Sequence, residues 1–315
     1  MLDVVTVGET MVAFIPNDKE KIRYANTFGK KVAGAESNVA IGIAKLGFKS
    51  GWISKVGKDE FGEFVIHELR GEGVDTSCVV HTDQYPTGLM FKQFSFGSDT
   101  NVYYYRKNSA ASHLSYDDID ENYIRNAKIL HLTGITPALS HSCQEMIERL
   151  VDFAKKNKVL ISFDPNIRLK LWSKEQACDC LLQILKQCDI ALLNQKEAQI
   201  LLGLCDTDAI IDQLRSFGTQ KIAVKCGSDG AVVADSTHTF VCPPIEVPVI
   251  DNIGAGDAFN SGFLCGILEN KSIQEAGVMG SFMGAMAVSS YGDTEGLPNR
   301  EQLKNYMNHT PQIHR

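Results

Sequence analysis

The run of residues best suited to chemistry is a short glycine-containing segment late in the chain, DNIGAGDAF at 251–259. Small residues at Gly254, Ala255 and Gly256 let a backbone turn approach an anion closely. The apolar residues that follow predict a helix, whose first N–H groups and positive dipole end would face that anion. Asp257 would lie in the first turn, where its carboxylate could accept a proton from an alcohol that attacks phosphorus. The segment therefore predicts an anion hole and a general base.

The same residues also permit a simpler interpretation. Gly254 and Gly256 could form an ordinary tight loop, and Asp257 could favour a helix start as many aspartates do. Two other nucleotide-binding patterns are excluded. The segment lacks the third glycine and the early position of a dinucleotide fingerprint, and no GxxxxGK followed by Ser or Thr occurs in the chain.

Composition points to a small-molecule partner. The 315 residues carry a net charge of −7 and a pI near 5.6, which argues against nucleic acid and anionic membranes as partners. The nine cysteines are scattered without metal-type spacing, and the N-terminus lacks a basic region ahead of its apolar run. We therefore expect reduced thiols and a cytoplasmic location. The uncharged run at 276–292 is rich in glycine and serine, which favours a buried helix over a membrane span.

Apolar, β-prone runs alternate with amphipathic stretches along most of the chain. This alternation predicts an α/β fold with a mostly parallel central sheet and crossover helices. The predicted strands lie at 4–8, 51–57, 129–134, 159–165, 190–194 and 221–227.

Two regions, 11–32 and 87–106, do not follow this alternation of strands and helices. In the second, β-prone and aromatic segments flank FGSDTN at 96–101, a hairpin pattern. We expect these two regions to form a small β-sheet lid that packs over a ligand or a partner subunit. The main domain would then comprise 1–10, 33–86 and 107–315.

The motifs together resemble the ribokinase-like carbohydrate kinases, the pfkB family, whose C-terminal signature is close to DTxGAGDxF. The resemblance covers essentially the whole chain and implies a three-layer fold with a lid. It rests on GETMVAF at 8–14, VAGAESNVAIGIAKLG at 32–47, VGKDEFG at 56–62, DPNIR at 164–168, NQKE at 194–197, KCGSDGA at 225–231 and GAGDAF at 254–259.

The resemblance implies ATP and Mg²⁺ as cofactors and leaves open a monovalent cation such as K⁺. Asp257 would be the catalytic base, and the backbone of 254–257 would form the anion hole. Asn194 and Glu197 match a motif that organises Mg²⁺ mostly through water, although the same pair could simply cap a helix. ATP would also meet Lys225, Gly227 and Gly230, in a segment that could otherwise be only a turn.

Within the family, four stretches are most similar to 2-keto-3-deoxygluconate kinases: PTGLMF, YYYRKNSAAS, LHLTGITPALS and DPNIRLKLW. This similarity implies ATP-dependent phosphorylation of the sugar acid at its primary hydroxyl, giving the 6-phosphate. Arg106 and Arg168 match positions that meet the carboxylate, for which guanidinium groups are suited. The other matched substrate positions are Gly34, Asn38, Tyr104 and Asp293.

Three residues depart from the family pattern. Asn252 stands in place of a Thr, Ala33 in place of a Gly, and Met90 where a Tyr is common. The last two would lie beside the sugar and therefore bear on which sugar acid fits. The alternative within enzymes is a fructokinase or ribokinase acting on a neutral sugar. A non-catalytic sugar-sensing protein is the alternative of another class. We also expect a homo-oligomer, a dimer or higher.

Overall fold

The computed structural model describes residues 1–18, 21–94 and 100–309. Its strands form one large and one small sheet. In chain order the strands are β1 (Leu2–Val7), β2 (Met11–Pro16), β3 (Phe28–Ala33), β4 (Ser50–Gly57), β5 (Val79–Thr82), β6 (Leu89–Phe94), β7 (Thr100–Tyr105), β8 (Ala127–Thr133), β9 (Leu160–Asp164), β10 (Ile190–Asn194), β11 (Lys221–Lys225), β12 (Ala231–Ala234) and β13 (Thr239–Cys242).

Most helices begin at a polar residue whose side chain accepts a backbone N–H bond, as at Asp59, Ser140 and Ser173. The helices are α1 (Ala35–Lys45), α2 (Glu60–Gly71), α3 (Glu121–Arg125), α4 (His141–Lys156), α5 (Lys174–Leu185), α6 (Gln195–Leu202), α7 (Thr207–Ser216), α8 (Ala255–Leu268), α9 (Ile273–Val288) and α10 (Arg300–His309).

The large sheet has the order β13-β12-β11-β10-β9-β8-β1-β4-β5. All pairs from β11 to β5 are parallel, and β12 and β13 are antiparallel. Helices cover both faces: Val4 packs in a buried cluster with α1, α8 and α9, whereas Val5 and Val7 pack on the other face with α4 and α5. The predicted three-layer α/β fold with a mostly parallel sheet is confirmed.

The small sheet has the order β3-β2-β6-β7. β2 pairs antiparallel with β3, β6 pairs antiparallel with β7, and β2 and β6 run parallel. The flanks of the predicted hairpin therefore pair as expected, while residues 95–99 of its turn lie outside the described residues. β3 continues through Ala33, one residue beyond the predicted segment 11–32.

The parallel strands place polar residues at one edge of the large sheet. Glu9 follows β1, and Asp164, Asn194 and Lys225 end β9, β10 and β11. Carboxyl ends of parallel strands are where open α/β sheets bind ligands. All nine cysteines are free. Within the described ranges, no helix is both long and apolar enough to cross a bilayer.

Candidate active site

The start of α8 forms an uncapped turn at the sheet edge. Gly254 has φ +85°, a left-handed conformation that glycine adopts without strain. A Cβ at this position would lie 2.7 Å from the carbonyl oxygen of Asp293, so the turn also requires a residue without a side chain. No side chain in the described ranges caps this helix. Its first N–H groups are therefore available to an anion in the cleft.

Asp257 lies in the first turn of α8 and is 9% exposed. Its Oδ2 accepts a hydrogen bond of 2.8 Å from Nδ2 of Asn38, in the first turns of α1. Burial first, and then the charges of Asp164 and Asp293, raises the pKa of Asp257 from 3.8 to about 7, against the opposing effects of Asn38 and Lys225. A carboxylate with a pKa near neutrality is suited to accept a proton during catalysis.

Asp293 links Asp257 to the small sheet. One of its carboxylate oxygens accepts a 3.3 Å hydrogen bond from the same Asn38 amide. The other forms an ion pair with the ammonium of Lys92 on β6. We did not identify Lys92 from the sequence; the signal present was a single lysine on the same strand face as Met90, within the apolar run LMFKQF.

A second buried group of charges, around Lys225 and Asp164, also acts on Asp257. Nζ of Lys225 lies 2.7 Å from Oδ2 of Asp164, and that oxygen also accepts a bond of 2.6 Å from Nδ2 of Asn260. Burial alone would raise the pKa of Asp164, but Lys225 and these hydrogen bonds hold it below its ordinary value. Sequence reasoning found Lys225 but assigned no role to Asp164 or Asn260. The arrangement holds an ammonium group at the edge of the cleft, where it can meet phosphate oxygens.

Asn194 and Glu197 form a capping box at the start of α6. Backbone N–H groups of Asn194 and Ile167 donate to the two Glu197 oxygens at 2.9 and 3.3 Å. Burial first, and then the charge of Asp164, raises the pKa of Glu197 to about 7. The helix-capping interpretation is confirmed, and the pair also lines the cleft. The organisation of Mg²⁺ by these two residues stays a prediction.

Mg²⁺ fits this site only with few direct protein ligands. The described residues contain no group of three acidic, histidine or cysteine side chains that could enclose a metal. Both oxygens of Glu197 already accept backbone bonds. Mg²⁺ retains several waters and binds phosphates readily. The residues present therefore suit a hydrated ion held mainly by ATP, with Asn194 and Glu197 acting through water.

The predicted sugar-acid residues come from both sheets. Arg106, just after β7, is 10% exposed and forms an ion pair with Glu9, a residue that sequence reasoning missed. Ser109 donates to the other oxygen of Glu9. The Arg106 guanidinium carbon lies 5.7 Å from the centre of the Tyr104 ring. Arg168, by contrast, is exposed and has no side-chain partner among the described residues.

A cleft of about 1860 Å³ brings these groups together. It has ample volume for a nucleotide and a sugar acid. Ala255 and Gly230 do not line it, and Gly230 instead forms the turn between β11 and β12 with φ +88°. The remaining predicted site residues do line it: Gly34, Asn38, Tyr104, Arg106, Arg168, Asn194, Glu197, Lys225, Gly227, Gly254, Gly256, Asp257 and Asp293. The three departing residues, Ala33, Met90 and Asn252, line it as well.

The fold and this cleft define a carbohydrate kinase. The profile of the pfkB family carbohydrate kinases matches residues 1–300, and the chain belongs to that family.

Three known proteins are similar to this chain over nearly its full length. The 2-dehydro-3-deoxygluconokinase of Bacillus subtilis is 38% identical, over 99% of this chain and 98% of that protein. A 5-dehydro-2-deoxygluconokinase of Clostridium beijerinckii is 31% identical, over 97% of this chain and 93% of that protein. Among solved structures, a putative ribokinase II of E. coli in complex with ATP and Mg²⁺ has a TM-score of 0.91 and 26% identity, over 98% of this chain and 99% of that one.

Proposed function

We propose that this protein transfers the γ-phosphoryl group of ATP to the primary hydroxyl of 2-keto-3-deoxygluconate, giving the 6-phosphate. This sugar acid is the 2-dehydro-3-deoxygluconate of the Bacillus relative's name. The observation that carries the proposal is the position of Asp257, in the first turn of an uncapped helix and in the same cleft as Arg106 and Arg168. The 38% identity over nearly the full chain supports this choice of substrate.

Asp257 acts as the base. As the hydroxyl oxygen attacks the γ-phosphorus in line, its proton passes to the Asp257 carboxylate, which Asn38 orients through Oδ2. The N–H groups of 254–257 stabilise the charge that develops on the transferred phosphoryl oxygens. Lys225, which is held in place by Asp164, adds a positive charge beside Gly256 in the same turn. Asn194 and Glu197 would hold Mg²⁺ through water, and the ion would offset phosphate charge when ATP is bound.

The two arginines make an acid the better substrate than a neutral sugar. Arg168 has no side-chain partner in the described part of the chain, so a carboxylate in the cleft can occupy its guanidinium fork. One guanidinium nitrogen of Arg106 already forms an ion pair with Glu9. The remaining N–H groups of the guanidinium can donate to the carboxylate of the substrate. Both relatives are named for six-carbon deoxy keto acids, which supports the same substrate class.

A monovalent cation is part of the proposal. Asp251 is 3% exposed, and its Oδ1 accepts a bond of 3.1 Å from the N–H of Ile253. Its Oδ2 has no hydrogen-bond partner among the described residues, an arrangement that a cation such as K⁺ would satisfy. Turnover in KCl compared with choline chloride tests this, and equal rates would contradict it.

The segments 11–32 and 87–106 act as a lid, and the remainder of the chain as the main domain. This is supported by Lys92, Tyr104 and Arg106, which extend from the small sheet toward the cleft. The exposed rings of Tyr103 and Tyr105 support a homo-oligomer, because apolar surface of this kind commonly marks a subunit contact. The free cysteines support a cytoplasmic location.

A coupled ADP-release assay with Mg-ATP tests the proposed function, with the Asp257→Asn variant as the blank. The acceptors are 2-keto-3-deoxygluconate, its galacto epimer, 5-dehydro-2-deoxygluconate, gluconate, fructose and ribose. We expect 2-keto-3-deoxygluconate to have the highest kcat/KM. Preference for fructose or ribose would leave a kinase of neutral sugars, and ligand binding without any turnover would indicate a sensor.

A further inference from the structure

Lys92 is a buried cation in the middle of the small sheet. It lies on β6, which has β2 on one side and β7 on the other. Its side chain is 1% exposed, and the Asp293 carboxylate to which it is paired is 5% exposed. Lysine is almost never fully buried unless it is paired, because removing an ammonium from water is costly. The Lys92 ammonium is therefore stabilised by its ion pair with Asp293 rather than by contact with water.

This ion pair connects the small sheet to the catalytic base through few atoms. The Asn38 amide donates to Oδ2 of Asp293 at 3.3 Å and to Oδ2 of Asp257 at 2.8 Å. The Asp293 carbonyl oxygen also packs against Gly254, at the turn that begins α8. Lys92 thus contacts the residue that supports both the base and the anion-binding turn.

We propose that Lys92 is a positioning residue for phosphoryl transfer: its ion pair with Asp293 holds Asn38 and Asp257 in place and neutralises a carboxylate that shares the Asn38 amide with the base. The proposal rests on the function proposed above. It makes the small sheet a part of the catalytic arrangement as well as a cover, because the pair forms only while β6 lies against the main domain.

The charges around Asp257 determine the direction of the expected effect. Asp164 faces Asp257 from the end of β9, Lys225 from the end of β11, and Asp293 from the loop before α10. The neutral Asn38 faces it from α1. Both aspartates disfavour ionisation of Asp257, and Lys225 favours it. Removing Lys92 leaves the Asp293 charge unbalanced, so Asp257 should hold its proton to higher pH.

The test compares the pH dependence of kcat/KM for Lys92→Met and Asp293→Asn. Lys92→Met should move the acid limb to higher pH by about one unit, which is about a tenfold loss of kcat/KM below the midpoint. Asp293→Asn should move the limb to lower pH, because a negative charge is removed while Lys92 remains. The double variant should return the limb toward that of the natural protein. An acid limb that does not move in folded Lys92→Met overturns the proposal.

Lys31→Met is the matched control. Lys31 also joins the small sheet to the same loop, at 2.8 Å from Glu295 and 3.1 Å from the Tyr291 carbonyl, but it does not contact Asp293. In Lys31→Met, the acid limb of the kcat/KM profile should not move. A shift equal to that of Lys92→Met would mean that the effect comes from the attachment of the small sheet in general. If Lys92→Met does not fold, the shift in Asp293→Asn decides, and an unchanged limb there overturns the proposal.

A measurement without substrate separates this proposal from the proposed function. Carbon-13 NMR of aspartate carboxyl groups follows the titration of Asp257 directly, with its signal assigned by its loss in Asp257→Asn. The midpoint should rise in Lys92→Met and fall in Asp293→Asn, whatever sugar the enzyme uses. Equal midpoints in all three proteins overturn the positioning role even if 2-keto-3-deoxygluconate is the substrate.

Discussion

Asn38 and Asp257 are 219 residues apart in the chain, yet the Asn38 amide donates to the Asp257 carboxylate at 2.8 Å. Asn38 lies in the first turns of α1, and Asp257 lies in the first turn of α8. These two helices pack on the same face of the large sheet. The hydrogen bond therefore depends on the packing of α1 against α8, which fixes the orientation of the proposed base before any substrate arrives.

Asp257→Asn separates catalysis from stability. The amide oxygen can still accept from Asn38, but it cannot accept a proton, so kcat should fall by about 10²–10⁴ or more. Whereas kcat should fall in this variant, the stability of its folded state should rise. Because the pKa of Asp257 is about 7 when folded and near 3.8 when unfolded, the natural protein loses stability as pH rises from 4 to 7.

The variant should therefore unfold at a higher temperature than the natural protein at pH 8, with the difference shrinking toward pH 4. Calorimetry at several pH values measures this difference. A variant less stable than the natural protein at pH 8 would mean that the ionised carboxylate stabilises the fold.

The pH dependence of kcat/KM should show an acid limb near pH 7, since Asp257 must be ionised to accept the proton. Glu197 has a pKa in the same range, so the limb needs assignment. Glu197→Gln is the control, because it removes that titration and leaves Asp257 intact. We expect the limb to persist in Glu197→Gln, and its disappearance would assign it to the capping acid instead.

Gly254→Ala and Gly256→Ala form a matched pair. An alanine at 254 would have φ +85° and a Cβ 2.7 Å from the Asp293 carbonyl oxygen, so thermal stability should fall. At Gly256 the nearest atom to a new Cβ is the Lys225 ammonium at 3.6 Å, so stability should hold. If ATP phosphates occupy this turn, Gly256→Ala should nonetheless raise KM for ATP. Equal melting temperatures for the two variants would contradict the strained turn.

Lys225→Met should destabilise the protein by about 3 kcal/mol, because it leaves Asp164 buried without its ion pair. The double variant Lys225→Met and Asp164→Asn should recover much of this loss, since no isolated charge remains. Urea unfolding of the two variants measures both effects. A double variant no more stable than the single one would show that Asn260 and its neighbours already compensate the Asp164 charge.

Local patterns predicted most of the fold and part of the site. The apolar runs gave the parallel strands β1, β4, β8, β9, β10 and β11, and the glycine turn gave the start of α8 with its acid. These features follow from residue spacing over a few positions. The family resemblance added the arginines and Asn38, which the cleft also contains.

Local sequence patterns could not predict ion pairs between residues that are far apart in the chain. Lys92 meets Asp293 across 201 residues, and Lys225 meets Asp164 across 61. A lysine in a strand is ordinarily expected to point to solvent, and only the packed sheets show that Lys92 is buried. Likewise, Arg106 follows a strand with exposed tyrosines, and nothing near it in the chain indicated that Glu9 would bind it.

In the proposed function, the cleft binds a sugar acid through its carboxylate and phosphorylates its primary hydroxyl. The most direct test compares kcat/KM for 2-keto-3-deoxygluconate and 3-deoxyfructose, which differ only in a carboxylate and a hydroxymethyl group. The natural protein should prefer the acid by about tenfold to a hundredfold, with phosphate on carbon six by phosphorus-31 NMR. Arg168→Ala should lose that preference, whereas the surface variant Arg125→Ala should keep it. Equal kcat/KM for the two sugars would mean that the protein does not recognise the carboxylate of its substrate.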